Sequence, residues 1–151
     1  MSFTDLAVRV AMALIRRFEG LYLKPYLCPA GVPTIGFGAT FYLDGRRVKL
    51  TDPAITALTA EVMLREMVRK VYLPAVLTLC PGLREPGQLA ALIDFTFNLG
   101  AGKLKASTLR KRVNAQDWPA ARLELMKWVR GGGKVLRGLV LRRQAECLLV
   151  K

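Results

Sequence analysis

From Glu19 to Thr40 the chain reads EGLYLKPYLCPAGVPTIGFGAT. Prolines at 25, 29 and 33 and glycines at 31, 36 and 38 divide a run with the β-formers Tyr22, Tyr26, Val32, Thr34, Ile35 and Phe37 between them, the pattern of short strands joined by turns. Further on, Asp44-Gly45 is a hairpin dipeptide, and a type I′ turn, which needs positive φ at both central residues, is expected there. Residues 20–50 are therefore expected to form a small antiparallel sheet.

The flanks read differently. Leu6, Val10, Ala13, Leu14 and Phe18 recur at helical spacing, with Ser2 or Thr4 able to cap the start and Gly20 the end, so a first helix is expected over about residues 4–19. Thr51-Asp52-Pro53 resembles a helix start, and a longer helical pattern runs from about Thr59 to Leu79, bent or broken at Pro74. Pro86 opens another, with Leu89, Leu92, Ile93 and Phe97 on one face, ending at Asn98-Leu99-Gly100. Ser107-Thr108 and Asp117-Trp118-Pro119 each start one more, and Gly131-Gly132-Gly133 sets off a last helix ending near Val150. Everything beyond residue 50 is expected to be helical. A lone helix, a short β-region and a helical bundle make an α+β order, with a cleft expected between the β-lobe and the bundle.

The 151 residues suit one domain, with a first helix, a β-lobe over about 20–50 and a helical lobe over about 51–151. Lys and Arg number 24 against 11 Asp and Glu, a formal charge of +13 that favours encounter with polyanions. There is no histidine, which excludes His-based metal sites, Ser-His triads and Cys-His dyads. Cys28, Cys80 and Cys147 lie far apart, and Cys80 and Cys147 read as apolar filler. Asp5 and Arg9 interrupt the N-terminal apolar stretch, so no export signal is read there, and no run reaches the roughly 18 apolar residues of a spanning helix.

Most acidic residues have local structural roles. Asp44 belongs to its turn, Asp52 and Asp117 to helix starts, and Glu61, Glu66 and Glu124 to exposed helix faces beside basic residues. Glu19 has no such role, because the C-terminal end of a helix disfavours negative charge. A general acid needs a carboxyl that holds its proton more tightly than usual, and dipole and burial act that way while Arg16 and Arg17 oppose them. The plainer alternative is a surface glutamate paired with Arg16.

Starting at Glu19, Cys28 follows nine residues on and Thr34 six beyond. This Glu-x8-Cys-x5-Thr arrangement resembles the catalytic signature of phage-type lysozymes, and Tyr26, Gly31, Ile35, Gly36 and Gly38 match the family's strand-turn-strand pattern. LIDFTFNLGAGKLKASTL (residues 92–109), Trp128 and GLVLRRQAECL (residues 138–148) resemble later family elements in the same order. The resemblance implies a two-lobed lysozyme-like fold, hydrolysis of the β-1,4 bond between N-acetylmuramic acid and N-acetylglucosamine in peptidoglycan, and no cofactor or metal. It maps Glu19 to the proton donor, Cys28 to a second catalytic position more often held by aspartate, and Thr34 to a residue that helps place water. Cys28 leaves two chemistries open, a base acting on water with inversion or a nucleophile with retention.

Asn98, Phe37 and Arg143 are candidate substrate contacts, with Phe41 and Tyr42 beside them, and Arg142 or Arg143 is expected to approach Glu19 or the wall peptide; helix capping for Asn98, core packing for the aromatics and the polar face of the last helix for the arginines are the structural alternatives. Rival functions are weaker: no nucleic-acid fingerprint occurs, and the apolar residues of 137–151 form no single stripe for membrane disruption. Chitin remains an alternative polymer. The resemblance further implies a monomer held in the host cytoplasm until a membrane pore protein (holin) releases it to the wall.

Overall fold

The structure, a computed structural model, describes residues 1–151. Helix α1, Phe3–Glu19, starts at Ser2, whose hydroxyl accepts the Asp5 N–H at 3.0 Å, and ends at Gly20, where φ is 75°. Its buried face is Ala7, Val8, Ala11, Met12 and Ile15, one step round from the Leu6-Val10-Leu14 stripe, of which Leu6 is exposed.

Strands β1 (Tyr22–Leu27) and β2 (Pro33–Gly36) pair antiparallel, with Tyr26 opposite Thr34 and Tyr22 opposite Gly36. The register shifts between Tyr22 and Tyr26, where Pro25 has no N–H to give the ladder. Isolated bridges Ile35–Ala39 and Phe41–Arg47 extend the lobe. The turn at Asp44-Gly45 differs from expectation. Only Gly45 has positive φ, its N–H donates to Tyr42 O at 3.0 Å, and Tyr42 N–H donates to Arg46 O at 2.9 Å. This is a three-residue hairpin loop with glycine at its left-handed position, because the Asp44 carboxylate accepts the Arg46 N–H and fixes a longer turn.

No helix starts at Thr51-Asp52. Asp52 accepts the Lys49 N–H and the Tyr42 hydroxyl, both at 2.8 Å, and so holds the end of the β-lobe. Helix α2, Ala57–Met67, is capped by Thr56 and runs through a π-helical turn, Val68–Tyr72, into α3, Leu73–Leu79. The Leu73 N–H reaches back to Val68 O and Pro74 follows, so the helix widens before the proline and does not break.

Helix α4, Pro86–Leu99, is buried from Gln88 to Thr96 and is the axis of the molecule, packed between α1 and α8. Glu85 and Gln88 form a reciprocal capping box at its start, and Gly100, φ 96°, ends it. Short helices α5 (Ala101–Ala106), α6 (Thr108–Asn114) and α7 (Trp118–Leu125) follow, the last two capped by Ser107 and Asp117. A small hairpin, β3 (Arg130–Gly131) with β4 (Lys134–Val135), interrupts the expected all-helical remainder. Gly132 and Gly133 both have positive φ there, which is the demand of a type I′ turn. Helix α8, Arg137–Leu149, completes the chain.

The main core gathers around α4, and a second small cluster of Ile35, Ala39, Val48 and Met63 ties the β-lobe to α2. Cys80 is fully buried, and that burial pushes its thiol up to about 11; Cys147 is half-buried and faces Arg122 O, and all three cysteines are free. No helix is long and apolar enough to cross a membrane.

Candidate active site

Glu19 is the last residue of α1, and its carboxylate, 24% exposed, lies where the β-lobe meets the helices. Gly38 lies beside it: its φ is +81°, a conformation that L side chains rarely adopt, while a Cβ placed on it would meet Glu19 Oε2 at 3.5 Å and the Phe97 ring at 3.6 Å, ordinary contact distances, so the backbone and not the space asks for glycine. Tyr72 stacks at 5.0 Å on Phe97, and Tyr22 at 4.2 Å on Tyr26. The Tyr26 hydroxyl is pushed up by burial, then by Tyr22 and by the negative fields of Glu19 and Cys28, so this phenol stays protonated.

Cys28 directly follows the last residue of β1 and is half-buried. The Val32 N–H, and after it the Ala30 N–H and the Thr34 hydroxyl, hold its thiol below the usual value in spite of some burial. Thr34, in β2, is 3% exposed and its hydroxyl lies 2.8 Å from Val32 O. Its single proton can serve either that carbonyl or the Cys28 sulfur. The fold thus brings Cys28 and Thr34 together at one end of the sheet, where Tyr26 lies opposite Thr34. A cavity of about 460 Å³ opens beside Gly38 between the β-lobe and α2 with the π-helical turn that follows it, lined by Phe41, Tyr42, Met63, Met67 and Tyr72 among others.

Behind Glu19 stands a buried ionic network. Arg142 of α8 donates from Nη1 to Glu19 Oε1 at 2.9 Å, and from Nε and Nη2 to the two oxygens of Asp94 at 2.9 and 2.8 Å. Burial opposes its charge, but Asp94 and Glu19 more than offset that and raise the guanidinium further above its ordinary value. Arg143 donates from Nη2 to Glu146 Oε1 at 2.7 Å and to Asn98 Oδ1 at 2.9 Å. Asp94, Arg143 and Glu146 are all fully buried. Burial and the adjacent Asp94 carboxylate hold the Glu146 proton well above the usual carboxylate range, against the pull of Arg143.

Several expectations change here. Arg143 is fully buried and has no surface to offer a sugar, whereas Arg142, 4% exposed and so not on a polar helix face, is the one of the two arginines that approaches Glu19. Phe37 is 6% exposed and belongs to the main core, whereas Phe41 and Tyr42 line the cavity. Asn98 is half-buried within α4, accepts from Arg143, and leaves the cap of that helix to Gly100. Arg16, the possible partner of Glu19, pairs with Glu61 at 3.1 Å. Asp94 and Glu146 carry no signal in their own neighbourhoods. The available clue was the missing apolar stripe of residues 137–151: positions 139, 142, 143, 146 and 150 do form one inward face, and its middle is charged.

Residues 16–146 match the family model for phage lysozyme. An endolysin of Acyrthosiphon pisum secondary endosymbiont phage 1 is 37% identical over 139 residues, covering 89% of this chain and 90% of that protein. Among solved structures, an endolysin from Escherichia coli O157:H7 phage FAHEc1 superposes with a TM-score of 0.83 at 33% identity, covering 94% and 90% of the two chains. The muramidase domain of SpmX from Asticaccaulis excentricus superposes with a TM-score of 0.79 at 29% identity, covering 94% and 95% of the two chains. The chain belongs to the phage lysozyme family.

Proposed function

We propose that this phage lysozyme donates a proton from Glu19 to the leaving sugar oxygen while Cys28 and Thr34 direct water to the anomeric carbon. The enzyme is a muramidase: it hydrolyses the β-1,4 bond between N-acetylmuramic acid and N-acetylglucosamine of peptidoglycan, and in doing so lyses the host at the end of infection. The observation that carries the site assignment is the Glu19 carboxylate itself, partly exposed at the junction of the lobes and bonded on one oxygen by Arg142.

Proton donation breaks the glycosidic bond as positive charge builds on the anomeric carbon, and Glu19 ends as a carboxylate. The Arg142 Nη1 donor is already in place to bind that new charge, so no reorganisation is needed at the moment of reaction. On the other side of the sugar, a Cys28 thiolate takes a proton from water, and the hydroxyl of Thr34 orients the nucleophile. This water-directed route gives inversion of configuration at the anomeric carbon. The N–H donors of Val32 and Ala30, which favour the thiolate, support it over a neutral bystander thiol. Phe41 and Tyr42 offer aromatic faces in the adjoining cavity for sugar rings.

Residues 1–151 act as one lysozyme domain and as a monomer, released to the wall from the host cytoplasm by a membrane pore protein. Digestion of purified peptidoglycan tests the reading. Mass analysis should find new reducing N-acetylmuramic acid ends, with inverted configuration when the reaction is followed early by NMR. Reducing N-acetylglucosamine ends or cut peptides would contradict the bond assigned, and retained configuration the water-directed role of Cys28.

A further inference from the structure

On the side of α2 turned away from the cleft, α1 and α2 enclose a second concavity of about 430 Å³, within the size range of small-ligand sites. Arg9 and Arg16 enter it from α1, Arg65 from α2 and Arg69 from the π-helical turn; Glu61 is the one acidic residue of its lining. Glu61 pairs with Arg16 at 3.1 Å, and Asp5 reaches Arg69 at 2.8 Å. Arg65 has no carboxylate partner, and Arg9 meets only the Met1 sulfur at 3.6 Å. Four guanidiniums against two carboxylates leave two positive charges in one hollow, and neither belongs to the network behind Glu19.

Arg9, Arg65 and Arg69 are exposed and Arg16 is half-buried, so the four guanidiniums can be reached from solvent. All four side chains are arginines, whose planar forks match phosphate oxygens two at a time where a lysine offers one point charge. The floor between them is apolar, made by Val8 and Met12, so an anion seated there is shielded from water on one side. We propose that this arginine pocket binds a phosphate ester of a cell-envelope polyanion, holding the enzyme at the envelope independently of the glycan in the cleft. The general excess of +13 would attract any polyanion from a distance; the pocket adds a fixed place for one phosphate group.

The probe is inorganic pyrophosphate, followed by NMR of the arginine side-chain N–H signals and by calorimetry, with the double variant Arg9→Gln/Arg65→Gln as comparison. Shifts should concentrate on Arg9, Arg16, Arg65 and Arg69, and the variant should bind at least about tenfold more weakly, the loss expected from removing two charge-assisted partners. Equal affinity in the variant, or shifts spread evenly over all basic residues, overturns the proposal. Poly(glycerol phosphate) and phosphatidylglycerol vesicles then separate the two sources of the ester: the one whose binding falls in the variant is the partner, and dependence of neither on these arginines also overturns it. Cleavage of soluble, phosphate-free glycan fragments should be unchanged in the variant, so a failure here is distinguishable from a wrong assignment of Glu19.

Discussion

The strand-turn-strand segment after Glu19 and the α4–α8 junction behind it both serve the same carboxylate, yet they are built on opposite principles. The first is local. Tyr26 and Thr34 meet across one turn, Gly38 is demanded by its own φ, and the partners of Cys28 lie within six residues of it. The second joins residues far apart: Arg142 is 48 positions from Asp94 and 123 from Glu19. Local sites rest on backbone conformation and tolerate exchange of side chains that keep the chemistry. A buried ionic network rests on mutual charge, and removing one member leaves the others unpaired in a medium that cannot solvate them.

That difference sets the expected order of mutational effects. Arg142→Met keeps the volume but strands Asp94 in the core, so stability should fall by about 3–5 kcal/mol, the range for breaking a buried pair. Denaturant unfolding checks this, and a loss below about 1 kcal/mol would show that the junction is no more demanding than a surface ion pair.

Glu146→Gln sharpens the comparison through pH. Because the folded protein holds the Glu146 proton more tightly than the unfolded chain does, its stabilising contribution is complete below the ordinary glutamate range and is lost as pH rises toward the folded value. Glutamine keeps a donor and has no proton to lose. The variant should therefore gain on the wild type as pH rises from about 4.5, by up to about 1.4 kcal/mol per pH unit, until the folded-state value is passed. Parallel stability curves would mean that Glu146 is ionised and paired with Arg143 alone.

In the local region the expected effects on stability are smaller and show in activity. Cys28→Asp should stay active, since a carboxylate can take the same proton from water at this half-buried turn, while Cys28→Ala should lose much of the rate. A structural cysteine would behave in reverse, with alanine mild and aspartate destabilising. Lysis rates beside melting temperatures separate the two.

The same division explains what could be read from the sequence. The α+β order, the caps at Ser2, Ser107 and Asp117, and the helix ends at Gly20 and Gly100 are written in neighbouring residues. Glu19 stood out because a carboxylate at a helix C-terminus lacked a local reason. The type I′ geometry was read at Asp44-Gly45 but occurs at Gly132-Gly133, since the Asp44 side chain favours a longer loop over the two-residue turn. For Arg142 and Arg143 the sequence offers an approach to Glu19 or the wall peptide beside the polar face of the last helix, because charge in a helix usually means surface. In α8 that rule inverts: Leu141 and Leu148 point outward while Arg142, Arg143 and Glu146 turn in, which only the partners on α4 and α1 explain. No local pattern encodes a partner 123 residues away.

Glu19→Gln joins the two regions in one measurement, because the amide keeps an acceptor for Arg142 and fits the same space beside Gly38 but has no proton to give. Wall clearance by the purified variant, set beside its thermal unfolding, is the most direct test. The account predicts a fold that melts close to the wild type and a rate lowered by about a hundredfold or more, the usual worth of general acid catalysis. A folded variant that clears walls at more than about a tenth of the wild-type rate would contradict Glu19 as the proton donor.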